Sequence, residues 1–344
     1  MTIRMLDRES LHSWTEALIA RGRVVGVQAR GDHFVFDELT RASDLRLDYD
    51  TTILPPKKYF LPQEEALLRF EGDSYQSVLE LEPFVLLGVH PYDMVAINQM
   101  DTLFAQGVPD KHYLARREAA TIVVVDMENS SEHCFAGSMG TAVVKDGFDA
   151  LLTRVGEHYV LDARTAKGRE LLAFISDAPV ADRAARLGRV RVWERNRRSM
   201  NNYELMVNPA DLPELLSHAY DDALWEERAE LCFSCGACNL VCPTCYCFDV
   251  QDVLNIDTAS GVRQRVWDSC QLKVFAEVAG GENFREHRAS RLRHRVFRKA
   301  KFVQERTGRL GCVGCGRCST HCVAKISILE VLQQIADEAT ETVA

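Results

Sequence analysis

Two cysteine runs of identical spacing constrain this chain more than any other feature. Cys232, Cys235, Cys238 and Cys242 follow C-x2-C-x2-C-x3-C, and Cys312, Cys315, Cys318 and Cys322 repeat it. Three thiolates at i, i+3 and i+6 wrap an iron–sulfur cube, while the fourth reaches a neighbouring cube. The spacing therefore predicts one 4Fe–4S cluster on Cys232, Cys235, Cys238 and Cys322. A second falls to Cys312, Cys315, Cys318 and Cys242. A pair of structural zinc sites is the competing reading, but such sites usually draw on two separated C-x-x-C pairs. Gly236, Gly314 and Gly316 suit a backbone that curls around a cube with its N–H groups aimed at sulfur.

The chain has 344 residues, enough for two domains, and 47% of them are hydrophobic. Its net charge of −9 speaks against general nucleic-acid binding. The first residues contain no apolar signal region, and Phe84–Val89 and Ile122–Val125 are far too short to span a bilayer. Twelve cysteines in such a chain read as metal ligands in a reducing cytoplasm, with no membrane insertion.

Cysteine usage divides the sequence. Residues 1–225 hold Cys134 alone, and 226–344 hold the other eleven. The expected fold is a mixed α/β N-terminal domain followed by a ferredoxin-like dicluster domain of helices and loops. In the first part, residues 24–29 and 33–36 read as strands around a turn at 30–32, and residues 84–89 as a buried strand. Pro91 opens a helix with Met94, Ile97 and Phe104 on one face, and residues 121–125 form the next strand. That order predicts a parallel pair with a helical crossover. A strand at 158–161 precedes a helix near 169–175. No G-x-G-x-x-G follows a strand and no Walker A loop is present, so no nucleotide site is recognisable. Between 181 and 230 a basic half precedes an acidic helix leading into Cys232, read mostly as solvated surface.

Residues 243–311 form a long insert between the runs. They add Cys245, Cys247 and Cys270, a candidate third metal site needing a fourth ligand such as Asp249, Asp268 or a nearby His. Buried thiols packed beside the clusters are the plainer reading. Residues 284–309 carry ten Lys and Arg against Glu286 and Glu305. Cations there would stabilise reduced, more anionic clusters, or dock an acidic partner; an exposed charged helix is the alternative.

Several segments resemble one family. They are 242–250 (CPTCYCFDV), 267–270 (WDSC), 279–285 (AGGENFR), 54–58 (LPPKK), 62–64 (PQE), 88–93 (GVHPYD) and 134–140 (CFAGSMG). Together they are similar to the beta subunit of cytoplasmic sulfhydrogenase-type nickel–iron hydrogenases, a family that includes the corresponding iron–sulfur subunit of anaerobic sulfite reductase. The resemblance implies an electron relay in a hetero-oligomer, between a flavoprotein linked to NAD(P)H or ferredoxin and a catalytic oxidoreductase subunit. It leaves open whether that catalytic partner is of the hydrogenase or the sulfite reductase type. Many relatives carry Cys where this chain has Tyr92 and Ala136, so Cys134 is assigned to structure, and His90 and Tyr92 to core or turn.

Two other functions remain in play. Cys245, Cys247 and Cys270 could form the catalytic centre of a self-contained sulfur enzyme, although no general acid or base stands out in the insert. A zinc-bound interaction module is the third reading.

Overall fold

The computed structural model describes residues 3–343. Its strands are β1 (Ile3–Leu6), β2 (Arg23–Arg30), β3 (His33–Glu38), β4 (Glu64–Glu71), β5 (Ser74–Ser77), β6 (Phe84–Val89), β7 (Ala120–Val125), β8 (Ala150–Val155), β9 (His158–Ala163), β10 (Phe248–Leu254) and β11 (Ser260–Trp267). They make a seven-stranded sheet, β1-β9-β8-β7-β6-β2-β3, and a four-stranded one, β10-β11-β4-β5.

The large sheet is parallel at its centre, from β8 through β7 and β6 to β2. Antiparallel hairpins flank it. The two middle strands, FVLLGV and ATIVVV, are apolar almost throughout because both their faces are covered. Pro91 starts the helix Pro91–Ala105, where its missing N–H would have no partner in any case. That helix and Lys111–Ala119 carry the chain across from β6 to β7, the crossover expected from sequence. On the helix Arg8–Arg21, buried Trp14 donates its indole N–H to the Leu171 carbonyl at 2.9 Å.

The small sheet departs from the expected helix-and-loop insert. Its β10 and β11 come from between the cysteine runs, and β11 pairs antiparallel with β4 from the N-terminal half. A buried polar knot holds the junction. Arg265 donates to Glu65 at 2.7 Å through Nε and also pairs with Asp110, while Arg116 pairs with Glu65. Strand β10 is exposed along its whole length, so its apolar residues alternate with Asp and Gln without marking a core strand.

The basic half of the connecting region is the helix Arg183–Ser199. Arg189 is not solvated surface, because it is buried against Asp162 at 2.7 Å. The acidic half forms Leu212–His218 and Leu224–Leu231. Their Leu212, Leu216, Leu224 and Trp225 share an apolar cluster with Phe297 and with Leu332 and Ile335 of the C-terminal helix. Among the described residues no helix is long and apolar enough to cross a membrane.

Candidate metal centre

The two cysteine runs fold as copies of one local structure. Ser234 and Gly314, the residues just before the second cysteine of each run, both have positive φ, at 53° and 67°. Gly236 (81°) and Gly316 (78°), just after it, do the same. Each of these glycines precedes a single helical turn, Ala237–Leu240 or Arg317–Thr320. Asn239 and Leu240 donate back to the Gly236 carbonyl, and Ser319 and Thr320 donate to Gly316. The fourth cysteine leaves each turn in the same way, with Cys242 N–H bonded to Asn239 and Cys322 N–H to Ser319. Backbone N–H groups also reach sulfur, from Ser234 to Cys232 Sγ at 3.4 Å and from Ile326 to Cys322 Sγ at 3.3 Å. Curled backbone, amides turned to sulfur and eight repeated thiols fit a pair of thiolate-bound cubes. The two runs lie within electrostatic reach of each other, Cys242 of Cys312 and Cys315, and Cys238 of Cys318.

The second run is embedded in the N-terminal layer. Phe135 N–H donates to the Gly314 carbonyl at 2.8 Å, and the Thr141 hydroxyl donates to Val313 at 2.6 Å. A Cβ on Gly314 would lie 2.7 Å from the Phe135 backbone, and one on Gly316 only 2.5 Å from that of His133. Residues 133–141 therefore form a fitted cradle. Arg317, fully buried between Cys315 and Cys318 in sequence, forks onto both Asp93 oxygens at 2.6 and 2.7 Å. It also donates to the Thr52 carbonyl at 2.8 Å and hydroxyl at 3.0 Å. Burial works against the charged guanidinium, yet Asp93 and the neighbouring Cys315 hold it firmly protonated.

His90 and Tyr92 are core residues, as expected, with Tyr49 stacked on the imidazole at 3.8 Å. Cys134 is buried, and burial pushes its thiol up to about 11. It packs with Tyr92, Ala136 and Cys315.

Three of the ten basic side chains at 284–309 are turned inward, while Arg288, Arg306 and Arg309 are exposed. Arg291, Arg295 and Lys299 are buried on the helix Arg288–Phe297 and the π-turn Arg298–Phe302 that continues it. Burial opposes the Arg295 charge, but Cys238, Cys318, Cys245 and Cys242 outweigh it and hold the side chain protonated. Lys299 is raised likewise by Cys242 and Cys245, and donates to the Thr244 hydroxyl at 2.6 Å. Thr244 in turn contacts Cys242 Sγ at 3.3 Å. Burial drops Lys57 to about 8 despite facing thiols; its ammonium caps the Trp267 ring at 4.2 Å and donates to the Cys245 carbonyl at 2.7 Å.

Asn239 joins the thiols of the insert to those of the first run. Its Nδ2 donates to Cys270 Sγ at 3.0 Å and its Oδ1 lies 3.6 Å from Cys245 Sγ and 3.9 Å from Cys238 Sγ. Cys247 hydrogen-bonds to Cys270, which that bond, followed by Asn239, lowers to about 6 against the cost of burial. Asp249 and Asp268 do not line the cavity that these thiols border. Sequence reading missed Asn239, Thr244, Lys57 and the Arg317–Asp93 pair. For Arg291, Arg295 and Lys299 a signal existed, since a spacing of four places them along one helix face.

The profile of a 4Fe–4S dicluster domain matches residues 231–326. Over 316 residues the chain is 34% identical to "Sulfhydrogenase 2 subunit beta" of Pyrococcus furiosus, covering 92% of this chain and 93% of that protein.

Proposed function

This chain belongs to the family of sulfhydrogenase beta subunits and is an electron-transfer subunit with two 4Fe–4S clusters, and we propose that it relays electrons in a cytoplasmic nickel–iron sulfhydrogenase-type complex. Its partners there are a flavoprotein that takes electrons from NAD(P)H or ferredoxin and a catalytic subunit.

Cys232, Cys235, Cys238 and Cys322 hold one cluster, and Cys312, Cys315, Cys318 and Cys242 the other. When bound, each cluster takes up and releases one electron with little rearrangement of its surroundings. The polypeptide fixes both positions and sets their charge environment. Left-handed residues at 234 and 314 turn their N–H groups to Cys232 and Cys312, and those at 236 and 316 lead into the helical turns. Arg295 and Lys299 place two buried cations beside Cys238, Cys318 and Cys242, favouring the added negative charge of reduction. Arg317 and the 133–141 cradle tie the second site to the large sheet. These contacts hold the second site against the large sheet with Cys315 buried, while Cys235 of the first run stays exposed.

The observation that carries this reading is the duplicated local structure of the two runs, with left-handed residues at matching positions and backbone N–H groups reaching sulfur in each. Substitution tests it. Cys242→Ser removes the cluster of the second run, and Cys322→Ser that of the first, each lowering iron by about four per chain. Loss of the cluster belonging to the mutated run itself would overturn the crossed pairing. Purification from the native host under nitrogen brings down both a flavoprotein and a nickel–iron protein if the assignment of partners is right.

A further inference from the structure

Three cysteines of the insert are not used by the two clusters assigned above. Cys245, Cys247 and Cys270 line one cavity of about 400 Å³, and His294 lines it too. The His294 imidazole forms no hydrogen bond among the described residues and packs its ring near Phe302, 6.2 Å between centroids. A neutral imidazole without such a partner offers a nitrogen lone pair to a metal. Arg295 and Lys299 border the same cavity, both fully buried. Neither forms a salt bridge with Asp or Glu among the described residues; both face thiols, and Arg295 donates to Asn239 Oδ1 at 3.2 Å. Buried cations without carboxylates call for an anion beside them.

We propose that Cys245, Cys247, Cys270 and His294 hold a third iron–sulfur cluster in this cavity. Three thiolates and a neutral imidazole around a 4Fe–4S core leave a net anion, which Arg295 and Lys299, lining this cavity as well as facing the two assigned clusters, can stabilise. A single ion suits the site less well. Among the described residues no three His, Cys, Asp or Glu side chains close together as one ion demands, and the cavity is far larger than an ion fills. The cluster sits beside the first run, because Asn239 touches both Cys245 and Cys238. It receives one electron and passes one on, with no bond made or broken, and extends the relay toward the cavity mouth. Imidazole in place of one thiolate raises its potential relative to an all-cysteine site.

This inference adds to the two-cluster reading without altering it. The test uses the full chain, purified anaerobically and analysed for iron, sulfide and zinc alongside reductive paramagnetic-resonance titration. The intact protein holds about twelve irons per chain, and Cys270→Ser or Cys247→Ser about eight, with the other two clusters' signals unchanged. His294→Cys keeps about twelve and shifts one midpoint potential downward. About eight irons in the intact protein would overturn the proposal, whether the three cysteines are then free to alkylate, joined as a Cys247–Cys270 disulfide, or bound to zinc. Fewer than about eight would overturn the two-cluster assignment as well.

Discussion

Arg317 offers the sharpest test of how the second cysteine run is anchored. Replacing it with Met keeps most of the stem but removes two bonds to Asp93 and two to Thr52. Asp93 is fully buried, so its charge is left without a counter-ion. Breaking such a pair from one side costs about 3–5 kcal/mol, a large share of a typical stability of about 5–15 kcal/mol. Adding Asp93→Asn removes the stranded charge, and the double variant should regain at least half of the loss. The assay is anaerobic denaturant unfolding followed by circular dichroism, with half-lives at fixed temperature because cluster loss makes unfolding irreversible. Iron analysis in parallel should show the second cluster lost first, since Arg317 lies between two of its proposed ligands. A double variant no more stable than Arg317→Met would refute the argument that an unpaired buried carboxylate sets the cost.

Gly316→Ala forces a Cβ to within 2.5 Å of the His133 backbone at a positive φ. It should cost about 1–3 kcal/mol, measured by the shift in unfolding midpoint, and loosen the second cluster, whereas Gly280→Ala, with open space around it, should be neutral. Lys299→Met removes a buried cation facing Cys242 and Cys245 and should lower a cluster midpoint potential by an amount on the order of tens of millivolts in a redox titration. Burial raises Asp126 to about 6, against hydrogen bonds from Thr153 and Trp193. Its folded pKa thus exceeds the unfolded one, so its stabilising share is complete below about pH 4 and is lost as pH rises through about 6, roughly 3 kcal/mol in all. Asp126→Asn should therefore gain stability relative to the parent between pH 4 and 7, read from unfolding midpoints at each pH.

What the sequence disclosed follows from range and periodicity. Strands β6 and β7 announce themselves as apolar runs, and Pro91 marks the helix between them. The repeated runs fix their own local turns, because Gly236 and Gly316 sit where only a left-handed residue continues the chain. The Arg317–Asp93 pair joins positions 224 residues apart, and nothing local at either end distinguishes it from surface charge. Strand β11 acquires its place from β4, a partner almost two hundred residues away, and β10 follows it with no buried face of its own. Asn239 is a single polar residue inside a cysteine run, and its contacts with the Cys245 and Cys270 thiols exist only after the insert folds back. Arg291, Arg295 and Lys299 were readable as one helix face, but a charged stripe looks the same whether it meets water or thiolates.

Paramagnetic resonance of the anaerobic full chain during stepwise reduction tests the central claim most directly. The account predicts 4Fe–4S signals that appear singly and then broaden by magnetic coupling as a neighbouring cluster takes its electron. Colourless protein, zinc in place of iron, or reduced clusters that show no mutual coupling would contradict it.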